Sequence, residues 1–399
     1  MKKWTITFIV ISSLLLSACD PSLKAEIPHS DYEISKTEPA PSEIMPEESA
    51  AEMDETQSQA LLDTEDTPMF GEKALLHLYA IADEIGAREP GSAEEARTAD
   101  YIWKVFKNIG YEPVTQYFSV EDEEEDESFS SANVIAIKEG ESDEMIVVGA
   151  HYDAAYEEGT RGADDNASGV AVLLESAEFL FSRETPYTIL FVAFGSEELA
   201  LNGSNWFVEQ LPEEELDKII GMVNLDSLIA GDILYVYGND GRGTMRDWLL
   251  EDADQNDLEI EGKTDEELLN SDGTPCECAD YDAFEKAEIP YVFFEATNWD
   301  LSPDAMTQVD PAYGVEGEIR HTKYDTLEYI NNSFPGRIEE HLSTYSLLLF
   351  DLLTEYKWVH NTRKTEKDDL SFKGSEIRVM ETIYNKKGNQ KLKGISIGT

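Results

Sequence analysis

The pattern of apolar and polar residues predicts a folded region that begins near residue 71. Apolar residues recur at helical spacing in residues 72–86 and again in residues 93–109, before Gly110. Seven short apolar runs, each typical of a strand, follow between residues 114 and 296. Helical patterns separate several of these runs, and a long helical pattern over residues 337–356 closes the region. Strands that alternate with helices predict an α/β fold.

We predict a mixed, mostly parallel twisted sheet with helices on both faces. The first strand patterns follow one another closely over residues 114–148, which favours an antiparallel edge. The acidic stretch 121–128 between two of them is predicted to be a solvated loop. We assign the folded domain to residues 71–357. The basic segment 358–399 is a C-terminal extension, either a small hairpin or a floppy tail, with no predicted function.

The first 19 residues have the pattern of an export signal. Two lysines at positions 2 and 3 precede a mostly apolar run over residues 6–16, and small residues follow. This arrangement is typical of a secretory signal and not of a membrane-spanning helix. The ending LSAC resembles a bacterial lipoprotein signal, in which Cys19 would carry the lipid and become the mature amino terminus. The alternative is an ordinary signal peptide with an incidental cysteine.

The charge balance limits which partners the chain can bind, and together with Cys19 it indicates where the domain lies. The chain holds 84 acidic and 30 basic residues, a formal net charge of −54. Such a charge argues against nucleic-acid binding, because phosphates would be repelled. Residues 20–70 are acidic, rich in proline and almost free of aromatic residues, which predicts a disordered tether. With a lipid on Cys19, we predict an extracytoplasmic domain anchored to the bacterial cell membrane.

Side chains that can bind metal or carry protons follow three of the predicted strands. These are His151 with Asp153, Glu197 with Glu198, and Asp226. Residues two positions apart in an extended chain point to the same side, so His151 and Asp153 face one side together. In open α/β sheets, ligands bind at the edge formed by the carboxyl ends of the strands. Taken singly, each group also fits a simpler interpretation, a polar strand end or a solvated helix start.

Two further residues extend this set. Asp165 follows Asp164 at the start of a helix pattern, where capping is the simpler interpretation, and His321 lies in a loop before the last helix. Two histidines with several carboxylates suit divalent metals, zinc above all. Two such ions about 3.5–4 Å apart can bind and activate one water molecule. Of two consecutive glutamates, one can bind metal while the other accepts a proton.

Five segments in this order resemble the M28 family of co-catalytic zinc aminopeptidases. They are GAHYDA, GADDNASG, FGSEELALNGS, NLDS and HTKYDTLEYI. The resemblance covers about residues 72–356. It implies hydrolysis of amino-terminal residues from peptide substrates with two Zn²⁺ ions per chain. As the resemblance implies, the metal ligands are His151 and Asp226 on one zinc, Glu198 and His321 on the other, and Asp165 between them. Asp153 would orient His151, and Glu197 would be the general base.

Specificity and activity leave alternatives open. Cys276 and Cys278 lie where this family forms its side-chain pocket, and a disulfide between them would close a strained small ring. Arg320 either favours acidic substrates from the pocket wall or is a surface arginine. Within the superfamily, glutaminyl cyclases share the fold but use one zinc, and a carboxypeptidase-type relative is a further alternative. A non-catalytic peptide-binding lipoprotein is the rival of a different class. The full set of five ligands favours the hydrolase.

Overall fold

The computed structural model describes the region of the predicted domain almost completely. The described residues are 69–122, 127–239, 243–264, 279–302 and 306–357, with the backbone of 378–384 and 390–396. The chain divides into two units, one that ends at Trp358 and one that begins at Val359. Cys19, residues 20–68 of the predicted tether, Cys276 and Cys278 lie outside the described residues.

A single mixed sheet forms the centre of the first unit. Its strands are β1 (Val114–Asp122), β2 (Glu127–Lys138), β3 (Met145–His151), β4 (Thr188–Phe194), β5 (Ile219–Leu225), β6 (Ile233–Gly238), β7 (Glu261–Thr264) and β8 (Tyr291–Thr297). Their spatial order is β1-β2-β4-β3-β5-β8-β6-β7. The three pairs β1–β2, β2–β4 and β6–β8 are antiparallel, and the other four described pairs are parallel. The predicted fold class and its antiparallel edge are confirmed.

Helices cover both faces of this sheet. They are α1 (Glu72–Tyr79), α2 (Ala93–Ile109), α3 (Gly169–Leu180), α4 (Asn202–Gln210), α5 (Glu213–Leu216), α6 (Met245–Gln255), α7 (Tyr281–Lys286), α8 (Leu327–Ser333) and α9 (Arg337–Glu355). Side chains of α1, α2, α3 and α9 share one core with alternate residues of β3, whereas α4 and α7 share a second core with the others. None of these described helices combines the length and the apolar character that crossing a bilayer needs.

Two details differ from the prediction. Strands β1 and β2 extend into the acidic stretch 121–128, so that only residues 123–126 are left between them. Strand β7 was not predicted, because its four residues EGKT are polar and carry no apolar alternation.

In the second unit, Arg378–Tyr384 pairs with Gln390–Ser396 as an antiparallel hairpin, in agreement with the first of the two alternatives, a small hairpin.

The parallel strands bring the polar strand ends to one edge. His151, the last residue of β3, pairs with Phe194 at the end of β4, so the Glu197–Glu198 pair begins three residues beyond it. Strand β5 is parallel to β3, and the N–H of Asp226, directly after β5, donates to Phe294 of β8. The chemistry predicted at separate strand ends therefore converges.

One buried histidine of α9 links stability to pH. His341 is 4% exposed, and burial, with the charge of Arg337, lowers its pKa to about 3. In the unfolded chain its pKa is about 6.5, so only the unfolded state gains a proton as pH falls below that value. The neutral imidazole contributes its full stability above pH 6.5, and this contribution is lost as pH falls toward 3. The loss is about 1.4 kcal/mol per pH unit at most.

We therefore expect His341→Asn to flatten the pH dependence of stability. Between pH 6.5 and 4.5 its free energy of unfolding should fall less steeply than that of the wild type, by up to about 1.4 kcal/mol per unit. Denaturant unfolding across this range measures both slopes. At pH 8, where the imidazole is neutral in both states, the comparison isolates the packing cost. Equal slopes below pH 6.5 would contradict the prediction.

Candidate active site

A carboxylate between two histidines forms the centre of the site. One oxygen of Asp165, Oδ1, lies 3.1 Å from Nε2 of His151, and the other, Oδ2, lies 3.0 Å from Nε2 of His321. His151 and Asp165 are buried, whereas the His321 side chain is 45% exposed. The two imidazoles thus face the two oxygens of one carboxylate, and the site opens toward solvent on the His321 side.

Each histidine has a second acidic neighbour. Oδ1 of Asp226 lies 3.5 Å from Nε2 of His151, and Oε2 of Glu198 lies 3.2 Å from Nε2 of His321. Glu197 is close as well, with its Oε2 3.9 Å from the His151 Nε2. The structure brings together all five residues predicted as metal ligands. Their assignment to individual ions stays a prediction.

The donor set fits divalent cations. Imidazole nitrogens and carboxylate oxygens converge in two groups, His151 with Asp165 and Glu198, and His151 with Glu197 and Asp226. Among the described residues, Oε1 of Glu198 is buried without a hydrogen-bond partner. Burial lowers the pKa of His151, but the charges of Glu197 and Asp226 outweigh it and hold that pKa well above 6.5. A buried excess of carboxylates that draws in positive charge suits zinc.

The position of Asp165 depends on contacts with other loops. It lies in a kinked turn, Ala163–Ser168, that leads into α3, and its own backbone is not helical, with a φ of −112° and a ψ of 95°. Oδ1 and Oδ2 of Asp325 accept hydrogen bonds from the N–H groups of Asp164 and Asp165, at 2.6 and 3.2 Å. Asn166 donates from Nδ2 to the carbonyl of Leu225 at the end of β5. The turn is thereby tied both to the loop after His321 and to the strand before Asp226.

Asp164 points away from the histidines. Its Oδ1 accepts from the N–H groups of Ile229 and Ala230, and its Oδ2 accepts from Nε2 of Gln308. Of the two consecutive aspartates, only Asp165 therefore contacts the site.

Asp153 contacts more than the imidazole that it was predicted to orient. Its Oδ1 lies 3.5 Å from Nδ1 of His151. The same carboxylate accepts the N–H of Glu197 at 3.0 Å on Oδ1 and the N–H of Glu198 at 3.1 Å on Oδ2. One buried aspartate thus fixes the backbone of both glutamates beside the first histidine.

A family model assigns the chain. Residues 133–346 match the model of peptidase family M28. This chain belongs to peptidase family M28. The matched segment contains all five predicted metal ligands, Asp153 and Glu197. The predicted family and the predicted enzyme class, a metallo-aminopeptidase, are confirmed.

Relatives agree with the M28 assignment. The chain is 30% identical over 321 residues to the alkaline phosphatase isozyme conversion protein of Escherichia coli. The aligned residues cover 72% of this chain and 91% of that protein. It is 28% identical to aminopeptidase YwaD of Bacillus subtilis, over 62% of this chain and 50% of that protein. A probable lipoprotein aminopeptidase, LpqL of Mycobacterium tuberculosis, is 34% identical over 38% of this chain and 31% of that protein.

Solved structures share the fold of the M28 domain. A zinc aminopeptidase from Bacillus subtilis matches with a TM-score of 0.57 at 17% identity, over 73% of this chain and 97% of that chain. A glutaminyl cyclase from an Acidobacteriales bacterium matches with a TM-score of 0.58 at 19% identity, over 74% of this chain and 98% of that chain. At such identities the likeness concerns the fold alone, which therefore does not separate a peptidase from a cyclase.

The M28 site also rests on a residue that the sequence did not single out. Arg88 is completely buried, and burial lowers its pKa to about 10 despite the nearby acids. Its guanidinium donates at 2.7–2.9 Å to backbone carbonyls of Gly86, Tyr152, Arg161 and Gly162. Arg88 thereby joins the loop after His151 to the loop before Asp165. In the sequence it belongs to AREPGS, which has only the pattern of a turn.

A second unpredicted residue is the buried acid Asp280. It is 1% exposed and directly precedes α7. Burial, with the charges of Asp226 and Asp153, raises its pKa to about 7, although His151 lowers it. Asp280 adds to the negative charge around the first histidine. It follows the CEC segment that was predicted for the substrate pocket.

Arg320 is not the surface arginine of one sequence alternative. It is 8% exposed, and its Nη1 donates to Oε1 of Glu295 at 2.6 Å. The other oxygen of Glu295 accepts from the hydroxyl of Tyr237 at 2.7 Å, which itself accepts from Nε1 of Trp299. The surface interpretation is therefore wrong. The preference for acidic substrates stays a prediction. An acidic substrate would meet a guanidinium that is already paired with Glu295.

We expect Arg320→Met to be strongly destabilising. It leaves Glu295, 2% exposed, without its cationic partner, which costs about 3–5 kcal/mol of unfolding free energy. A double variant, Arg320→Met with Glu295→Met, should recover most of this loss because no uncompensated charge remains. Denaturant unfolding of the three proteins measures both effects. A single variant as stable as the wild type would contradict this account of the pair.

Proposed function

We propose that this M28 protein is a lipid-anchored, extracytoplasmic dizinc aminopeptidase that releases amino-terminal residues from peptides. The carboxylate of Asp165 carries the proposal, because each of its oxygens lies within 3.1 Å of a different histidine. A bridging carboxylate needs this arrangement. It supports two metal ions per chain, with His151 and Asp226 on one and Glu198 and His321 on the other.

When bound there, two zinc ions would polarise the scissile carbonyl and lower the pKa of a water molecule. Glu197 would accept the proton of that water and pass it to the leaving amine. Burial raises the pKa of Glu197 well above its usual value, against the lowering effect of His151, which suits a group that both takes and returns a proton. Its N–H is fixed by Asp153, so its carboxylate has a defined place beside the site.

Two relatives support a free amino terminus as the substrate group, because the names of both YwaD and LpqL describe an aminopeptidase. Asp165, Asp226, Glu197 and Glu198 all lie within 4 Å of a histidine of the site. Two bound zinc ions would offset the four negative charges of these side chains. The preference for an aminopeptidase over a carboxypeptidase therefore rests on the relatives.

The lipid anchor rests on Cys19 and on the LpqL relative, whose name describes a probable lipoprotein aminopeptidase. Expression of the full chain and of Cys19→Ser in a bacterium that lipidates exported proteins tests it. We expect the wild type to partition into the detergent phase and Cys19→Ser into the aqueous phase. Partition of both into the aqueous phase would contradict the anchor and leave the enzymatic proposal untouched.

The experiment that tests the activity is amino-acid release from matched peptides. The detergent-solubilised full chain is assayed on peptides with free and with acetylated amino termini, with and without a chelator. We expect release only from free termini, and none after chelation. Cyclisation of amino-terminal glutamine without release of amino acids would favour the cyclase alternative. Zinc binding without turnover of either kind would favour the peptide-binding lipoprotein.

A further inference from the structure

The segment that carries the two glutamates is held by three consecutive backbone N–H groups. The N–H of Ser196 donates to Oε1 of Glu95 at 3.1 Å, and those of Glu197 and Glu198 donate to Asp153. Ser196 has a φ of +52°, a left-handed conformation that costs energy in a residue other than glycine. Such a conformation persists only where the surrounding structure fixes it. Glu95 and Asp153 are the two carboxylates that do so here.

The two carboxylate oxygens of Glu95 accept hydrogen bonds from different parts of the structure. Oε2 accepts the N–H of Gly91 at 2.6 Å at the start of α2, where the hydroxyl of Ser92 accepts the N–H of Glu95. This half is a helix cap. Oε1 faces the site and accepts from the hydroxyl of Ser131 at 2.6 Å and from both the N–H and the hydroxyl of Ser196. A helix cap does not require this second set of contacts.

Glu95 also borders a pocket. The volume of this pocket is about 320 Å³, and Glu95, Trp103, Ser131 and Tyr152 are among the residues that line it. Glu95 itself is only 2% exposed, so its hydrogen bonds to Ser131 and Ser196 lie in a buried environment.

We propose that Glu95 is a positioning residue that aligns the Ser196-Glu197-Glu198 segment through its contacts with Ser196. The proposal deepens the aminopeptidase function and rests on it. Glu95 acts through two contacts with Ser196, one to its N–H and one to its hydroxyl. Its loss therefore displaces the proton-accepting carboxylate of Glu197 and the ligand carboxylate of Glu198, while the rest of the site keeps its place.

The test compares Glu95→Gln with Ser92→Ala in the full chain. The glutamine keeps the volume of the side chain but cannot offer an acceptor to both donor sets. Ser92→Ala weakens the same helix start and leaves Ser196 untouched. Three readouts are taken for each protein: Tm, kcat and KM at saturating zinc, and zinc affinity by competition with a chelator. We expect Tm to fall for both, by about 2–4 °C or less.

Only Glu95→Gln should change the other readouts. We expect its kcat to fall about 10–100-fold with KM little changed, and its zinc affinity to weaken, as for other residues that support metal ligands. Ser92→Ala should keep the kcat and the zinc affinity of the wild type. Equal kcat and equal zinc affinity in the two variants would overturn the proposal and leave Glu95 as a helix cap. If the wild type released no amino acids, the proposed function would fail, and the zinc competition alone would decide on Glu95.

A second variant covers the case in which Glu95→Gln does not fold. Ser196→Gly removes the hydroxyl that donates to Oε1, and glycine adopts a φ of +52° without strain. We expect a smaller decrease in kcat in the same direction. An unchanged kcat in folded Ser196→Gly would overturn the proposal.

Discussion

Glu197→Gln should lower kcat by about 10²–10⁴-fold while zinc content stays at the wild-type level. The amide has the shape of the carboxylate but cannot accept a proton, so the proton-transfer step loses its acceptor. The backbone N–H of Glu197 still donates to Asp153, and the predicted ligands are unaltered. Initial rates on an unblocked peptide, together with zinc per chain by elemental analysis, measure the two halves of the prediction.

The neighbouring residue supplies the matched comparison. Glu198→Gln makes the same chemical change one position along the same segment, but Oε2 of Glu198 lies 3.2 Å from His321 and 3.9 Å separates Glu197 from His151. We expect Glu198→Gln to lose zinc affinity, and Glu197→Gln to keep it. If both variants lost zinc equally, Glu197 would be a ligand and its role as proton acceptor would fail. If Glu197→Gln kept full activity, another group would take the proton.

The sequence predicted the edge of the sheet at which the site lies. Parallel strands ending in His151 and Asp226 must bring these side chains to one side, because neighbouring parallel strands end together. The apolar runs of β3, β4 and β5 were long enough to be recognised as strands, and the five ordered segments supplied the predicted ligand set. The meeting of these side chains at one edge therefore follows from the strand pattern, while their roles as metal ligands stay a prediction.

Contacts across long separations could not be predicted in this way. Glu95 meets Ser196 and Arg88 meets Gly162 only after folding, and neither lies at a strand end or in a ligand motif. In the sequence, Glu95 is one of two consecutive glutamates in the first turn of a helix, where acidic residues are common. The pairing of Arg320 with Glu295 is equally invisible, because β8 and the His321 loop are joined only in three dimensions.

Asp165→Asn should abolish the binding of both zinc ions. We expect the affinity to fall by more than about a thousandfold, beyond the roughly 10–100-fold that loss of an outer partner costs. Only a carboxylate carries two equivalent oxygens, one beside each of His151 and His321, and the amide replaces one of these oxygens with an NH₂ group that does not bind zinc. Removal of zinc from the wild type by a chelator should give a parallel result. At a zinc concentration a thousandfold above the wild-type Kd, the bound ion stabilises the wild-type fold by about 4 kcal/mol, and Asp165→Asn loses this stabilisation.

Asp164→Asn is the control that separates metal binding from folding. Asp164 is as buried as its neighbour, but its oxygens accept from Ile229, Ala230 and Gln308, so the substitution breaks structural hydrogen bonds and should cost about 1–3 kcal/mol. Its zinc-dependent rise in Tm should persist from a lower starting value, whereas that of Asp165→Asn should disappear. Thermal unfolding with and without zinc distinguishes the two. A zinc-dependent rise in Asp165→Asn equal to that of the wild type would mean that no ion is held between the histidines, and a dizinc mechanism would have no place in this site.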